Sequence, residues 1–177
     1  MIIGLILAGG LSSRMGEDKA LMEVDGVTML DRTARTLRGL GVDLVAVSGS
    51  RPGGIPDRWA GTGPVGGMAS AAAVLPDAEL VVVPVDMPRL GAEVLMPLLA
   101  QRSLPATRWE GHPLPMRLTL NAGTRDALAT LMTLTGRERS VSALQARIGT
   151  TTLPLDGLDP LFLANCNTPD EWREANA

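Results

Sequence analysis

One segment near the start of this sequence concentrates residues able to handle anions. Leu7-Ala8-Gly9-Gly10-Leu11-Ser12-Ser13-Arg14-Met15-Gly16-Glu17-Asp18-Lys19 holds three glycines, an arginine and the only lysine of the chain. Consecutive glycines let a backbone approach a ligand closely and turn its N–H groups toward negative charge. Arg14 can fork two oxygens and Lys19 supplies a compact point charge, a combination suited to a triphosphate. The spacing is neither G-x-x-x-x-G-K-[ST] nor G-x-G-x-x-G, which excludes the P-loop and dinucleotide fingerprints. On residue types alone, a tight turn with a solvated arginine and lysine stays open. The lone lysine stands out because the other cations among the 16 are all arginine. A GC-rich genome would produce that bias without any functional cause.

The elements around this segment alternate. Ile2 to Leu7 is an apolar run of buried-strand type. Ala20 to Val24 reads as a brief strand turned by Asp25-Gly26. Thr28 caps a helix to about Leu40, with Leu30, Ala34 and Leu37 on one face. Asp43 to Val47 reads as a strand, Ser48 to Gly63 as a Gly/Pro-rich loop, and Pro64 or Val65 to Leu75 as a helix. Glu79 to Val83 is a third strand, ending in Pro84-Val85-Asp86, and a helix follows from Ala92 to about Arg102. Ala106 to Trp109 and Leu114 to Leu118 predict a hairpin, with Pro113 and Pro115 placing its second arm at a sheet edge. Helices from Asn121 and Ser140, a strand over Thr151 to Leu155, and a terminal helix from Thr168-Pro169-Asp170 complete the pattern. Met68, Met96 and Met132 are assigned to the core. The pattern predicts a three-layer α/β domain, mostly parallel, with a late hairpin. In such sheets ligands gather beyond the carboxyl ends of the strands, here after Leu7, Val47 and Val83.

Composition sets limits. The 177 residues are 45% apolar and 20% charged, enough for one sizeable core. A net charge of -3 provides no basic field, so no nucleic-acid partner is expected. The single cysteine, Cys166, excludes an intrachain disulfide and an all-cysteine zinc site. Met1 to Ala8 lacks a basic n-region and reads as a strand, not a signal peptide. No apolar run reaches the ~20 residues of a membrane span. The expectation is a cytoplasmic protein with no membrane partner.

The motifs also carry a family likeness. Leu7-Ala8-Gly9-Gly10 with Arg14-Met15-Gly16 and Lys19 resembles the signature of sugar-1-phosphate type nucleotidyltransferases. Within them the sequence is most similar to the molybdenum cofactor guanylyltransferase family. Gly63-Pro64-Val65-Gly66-Gly67-Met68 resembles that family's Gly-Pro-Leu-Ala-Gly helix start, and Pro84-Val85-Asp86-Met87-Pro88 its Pro-Cys-Asp-x-Pro metal turn. Gly111-His112-Pro113 and Asn165-Cys166-Asn167-Thr168-Pro169 resemble its His-Pro and Asn-x-Asn-Thr-Pro elements. The likeness covers nearly the whole chain and implies one Rossmann-like nucleotidyltransferase domain over residues 1–177.

It further implies transfer of GMP from GTP to molybdenum-molybdopterin with magnesium (Mg2+) as cofactor, and molybdopterin-delivery proteins and apo-molybdoenzymes as partners. Arg14, Lys19 and Asp86 become catalytic candidates, and Asp86 the metal ligand; alone, Asp86 reads equally as a cap of the Met87-Pro88 turn. The nucleotide site falls on Leu7, Ala8, Gly9, Gly10, Lys19, Ser48, Asp57 and Asp86. Ser48 departs from the family's usual asparagine, and its hydroxyl offers a shorter reach and fewer donors. Asp57, otherwise a turn aspartate before Arg58, can accept from guanine N1–H and its amino group. His112, Asn165 and Asn167 are candidates for the pterin. Without the likeness they read as a hairpin histidine and helix caps. Arg137 and Arg139 lie in a polar loop and read by default as a solvated face, with contact to the acceptor's phosphate as the alternative. Two alternatives compete with guanylyl transfer: a cytidylyl or sugar-phosphate nucleotidyltransferase, and a non-catalytic nucleotide- or cofactor-binding chaperone. Gly10 favours the guanylyl branch over the cytidylyl branch, and Lys19 together with Asp86 argues against the chaperone.

Overall fold

A computed structural model describes residues 1–9, 18–59, 61–166 and 171 of the chain. Its centre is a six-stranded sheet in the order β4-β1-β5-β7-β6-β8. β1 (Ile2–Leu7) lies between β4 (Leu44–Ser48) and β5 (Ala78–Pro84), parallel to both. β7 (His112–Leu120) runs antiparallel to β5 and to β6 (Ala106–Trp109), and β8 (Thr150–Leu153) pairs parallel with β6. One reversed strand in an otherwise parallel sheet gives the mostly parallel arrangement with a late hairpin.

Helices cover both faces. On one, α1 (Met29–Gly39) and α3 (Ala92–Ala100) enclose Ile6, Val81 and Val83 with Met29, Leu37, Leu95 and Leu98. On the other, α2 (Gly63–Ala72), α4 (Ala122–Met132) and α5 (Val141–Ile148) pack Met68, Leu128 and Leu144 onto Ile3, Leu5, Leu80 and Met116. β1 and β5 are therefore apolar on both sides, as strands beneath two helical layers must be. Among the described residues no helix is long and apolar enough to cross a membrane.

Thr28 caps α1, its side chain accepting from Asp31 N, as its position before the apolar stripe predicts. The stretch read as a strand over Ala20 to Val24 divides differently. Lys19–Leu21 is a 3-10 turn whose N-cap, Asp18, accepts from Ala20 N at 3.0 Å. Only β2 (Glu23–Val24) and β3 (Val27–Thr28) are extended, joined through Asp25 and Gly26 at φ 53° and 72°. The edge placement of Pro113 and Pro115 is overturned, because β7 lies inside the sheet. Its ladder with β5 runs from Met116↔Val82 to Leu120↔Ala78, so both prolines precede it and remove no bond to that strand. Met68 is buried and Met132 packs against the core, but Met96 is 52% exposed. It lies two residues, about 200° of helix turn, from buried Val94.

α1 can approach β1 because position 4 has no side chain. A Cβ there would stand 2.8 Å from Leu37 Cδ1 and 3.2 Å from Leu37 Cβ. Gly4→Ala is expected to destabilise the protein by about 1–3 kcal/mol through overpacking, read as a lower melting temperature. Unchanged melting would show that α1 can slide away without cost.

Candidate active site

The ends of β4, β1 and β5 stand side by side, with Leu7 in register with Ser48 and Pro84. Two backbone bonds carry the pairing past the strands: Ala8 N donates to Ser48 O at 3.0 Å and Val85 N to Leu7 O at 3.3 Å. Ala8 and Gly9 are thereby set between Ser48 and the turn that carries Asp86.

Lys19 and Asp86, 67 residues apart in sequence, meet here. Lys19 Nζ donates to Asp86 Oδ2 at 2.9 Å, with the two side chains only 16% and 19% exposed. Asp86 also accepts at its backbone oxygen from Cys166 N at 2.9 Å, which fixes the turn. Burial, followed by the charges of Glu171 and Asp86, pushes the Cys166 thiol up, so that sulfur stays protonated and unreactive. Lys19 is presented by the 3-10 turn that Asp18 caps. Asp18 is gripped in turn by Arg51, whose Nη2 donates to its carboxylate at 3.1 and 3.3 Å and to Ala8 O at 2.6 Å.

A second group forms the side of the site next to β4. Ser48 is buried, and its Oγ donates to Asp57 Oδ1 at 3.3 Å. Two glycines make room for this pair. A Cβ at Gly9 would lie 2.6 Å from Asp57 Oδ2, and one at Gly67 would lie 2.5 Å from Ser48 Oγ. Leu7, Gly9, Ser48, Asp57 and Trp59 line a small cavity of about 70 Å3. That holds roughly two waters, so a nucleobase can enter only as the walls give.

Thr62, Gly63 and Pro64, at the start of α2, separate this cavity from a cleft of about 710 Å3. His112, the first residue of β7, and Asn165 from the chain after β8 both line the larger cleft. Arg139 lines it as well, with Nη1 donating to Leu134 O at 3.2 Å, although its sequence context reads as a solvated face. The sequence also gave no weight to Arg51 or Trp59, which lie inside the Gly/Pro-rich loop. Their position just beyond the carboxyl end of a parallel strand was the available signal. Gly10, Arg14 and Asn167, and the terminal helix expected from Thr168, lie outside the described residues.

Asp86 is the carboxylate paired with the lysine, and the described residues contain no group of three or more His, Cys, Asp or Glu able to hold a metal. This donor set does not fit a closed structural zinc site. It fits magnesium, which keeps several waters, takes one or two carboxylates and draws its other ligands from substrate phosphates.

An open α/β sheet with a lysine–carboxylate pair beyond the carboxyl ends of its parallel strands places the chain among Rossmann-like domains with a ligand site at that edge. Known proteins narrow the class. Residues 4–150 match the MobA-like NTP transferase domain, and the chain belongs to that family. It is 44% identical over 172 residues to the molybdenum cofactor guanylyltransferase of Xanthomonas euvesicatoria pv. vesicatoria, covering 96% of this chain and 91% of that protein. Its fold matches the molybdopterin-guanine dinucleotide biosynthesis protein A of Archaeoglobus fulgidus with a TM-score of 0.68 at 20% identity, over 99% and 97% of the two chains. The 2-C-methyl-D-erythritol 4-phosphate cytidylyltransferase of Thermus thermophilus matches equally well, with a TM-score of 0.69 at 18% identity over 99% and 98%. The fold is thus shared by enzymes named for different bases, and base choice must come from side chains.

Proposed function

We propose that this chain transfers GMP from GTP to molybdenum-molybdopterin, releasing pyrophosphate and forming molybdopterin guanine dinucleotide. The observation that carries this reading is the Lys19–Asp86 pair beyond the carboxyl ends of the parallel strands. The name of the Xanthomonas relative supports the substrates. The reaction forms one bond, from an acceptor phosphate oxygen to the α-phosphorus of GTP, and breaks the bond from that phosphorus to the bridging oxygen of pyrophosphate. The attacking oxygen is already anionic, so the protein has little proton transfer to perform. Its task is to align two polyanions and to spread the charge that develops between them.

Asp86 is the residue that would hold magnesium, which when bound supplies Lewis-acid neutralisation of the phosphate oxygens. Lys19 and Arg14 hold the triphosphate, with the N–H groups of Gly9 and Gly10 beside them. Leu7 and Ala8 frame the nucleoside. Asp57, steadied by the Ser48 hydroxyl, accepts from guanine N1–H and its amino group, a donor pair that cytosine lacks. His112 and Asn165, which line the larger cleft, hold the pterin, and the family likeness assigns Asn167 to the same task. The reading takes residues 1–177 as a single cytoplasmic domain that exchanges cofactor with molybdopterin-delivery proteins and apo-molybdoenzymes.

GTP with magnesium is expected to stabilise the protein more than CTP or ATP at equal concentration. At 100 times its Kd a ligand adds about 2.7 kcal/mol. For a chain of this size that raises the melting temperature by on the order of 5–10 °C. Equal or greater stabilisation by CTP would transfer the assignment to the cytidylyl branch. Strong GTP binding with no pyrophosphate release in the presence of acceptor would identify a chaperone.

A further inference from the structure

Arg51 has no part in the chemistry above, yet it is built firmly into the site. Its side chain is only 15% exposed, held between the loop after β4 and the chain that follows β1. The loop after β4 is shaped around it. Gly54 N donates to Arg51 O at 2.9 Å, and a Cβ at Gly54 would stand 2.9 Å from Arg51 Cγ. Gly49, at φ 136°, keeps the same loop close to Ala8, whose oxygen would lie 3.0 Å from a Cβ there.

The contacts of Arg51 fall on the two flanks of one segment. Ala8 O is the last described carbonyl before Gly9, and Asp18 immediately precedes Lys19. Nη2 donates to the first at 2.6 Å and to both carboxylate oxygens of the second. Asp18 also caps the turn on which Lys19 is mounted, and Lys19 Nζ reaches Asp86. We propose that Arg51 is a positioning residue for Lys19, fastening both flanks of the segment between β1 and the Lys19 turn so that the ammonium stands against Asp86. The inference rests on the functional reading above. All these bonds leave a single nitrogen, Nη2, so one group at one place holds both the Ala8 carbonyl and the Asp18 carboxylate.

The test is a double-mutant cycle on the full chain. Arg51→Met keeps the alkyl stem and removes the fork. With kcat/KM for GTP and GTP affinity as readouts, it is expected to lower transfer by about 10-fold, since displacements near 1 Å already cost up to ~10²-fold. Asp18→Asn retains the cap acceptor, loses the ion pair, and is expected to move in the same direction. In a Lys19→Met background the effect of either variant is expected to shrink below about two-fold, because the group being positioned is gone. A merely structural role predicts the same loss in both backgrounds, and that result overturns the proposal. So do variants that match an active parent. If Arg51→Met does not fold, the Asp18→Asn cycle decides alone. A parent that neither binds GTP nor transfers GMP overturns the functional reading itself, and this inference with it.

Discussion

Asp86→Asn is expected to reduce GMP transfer by roughly 10²-fold or more while the protein stays folded. The substitution preserves size and leaves an amide oxygen able to accept from Lys19, so only the negative charge is lost. That charge is what a hard divalent ion draws from a carboxylate ligand. The turn itself does not depend on the carboxylate, because the backbone oxygen of Asp86 is held by Cys166 N at 2.9 Å and the side chain is partly exposed. Binding of GTP without metal is expected to persist or tighten, since a carboxylate no longer faces the phosphates. Pyrophosphate release under single-turnover conditions, alongside a thermal melt, separates these effects. Full turnover by the variant would place the metal ligand elsewhere.

Lys19→Arg is expected to lower transfer by at least about 10-fold, equivalent to ~1.4 kcal/mol of barrier. In a chain whose other cations are all arginine this change follows the chain's own habit and keeps the charge. A solvated surface lysine would tolerate it. Lys19 is not solvated: it is 16% exposed and donates to one carboxylate oxygen of Asp86 at 2.9 Å. A guanidinium in that slot is wider and able to clasp both oxygens, drawing the carboxylate away from a metal while misaligning the phosphates. Weaker GTP binding and slower turnover in a protein with unchanged melting are the expected results. Parent-like kinetics would remove Lys19 from the site.

Much of this architecture was legible because local chemistry and tertiary structure agree. Thr28 caps α1, β1 is Ile2–Leu7, and Asp25-Gly26 turns a hairpin, each where its residue types demand. Where they disagree, the reasons are physical. The prolines of β7 mark a strand edge by propensity, but the strand begins before its partner does, so the rule applies to its overhang and not to its place in the sheet. Met96 was assigned by hydrophobicity, whereas burial on α3 is set by the angle of Val94, Leu95 and Leu98. At the site, glycines and charged residues stood out in sequence, so Lys19 and Asp86 were found. Arg51 is one arginine among many, in a loop whose composition says only that the chain turns. Its importance comes from two acceptors 10 positions apart that only folding brings to one guanidinium. Arg139 could be read either as a solvated face or as a contact for the acceptor's phosphate, since nothing local tells an arginine in a polar loop that it borders a cleft.

The Lys19–Asp86 contact also has a thermodynamic consequence. An ammonium resting on the proposed metal carboxylate is an internal competitor for any cation that approaches it. A divalent ion arriving alone would have to compete with the Lys19 ammonium for that carboxylate. A triphosphate arriving with the ion offers the displaced lysine a new set of oxygens. Metal and nucleotide affinities are therefore coupled, and coupling of this kind is reciprocal: the factor by which GTP tightens magnesium equals the factor by which magnesium tightens GTP. The protein on its own would hold magnesium weakly, and the complete assembly would form only when all its charges arrive together.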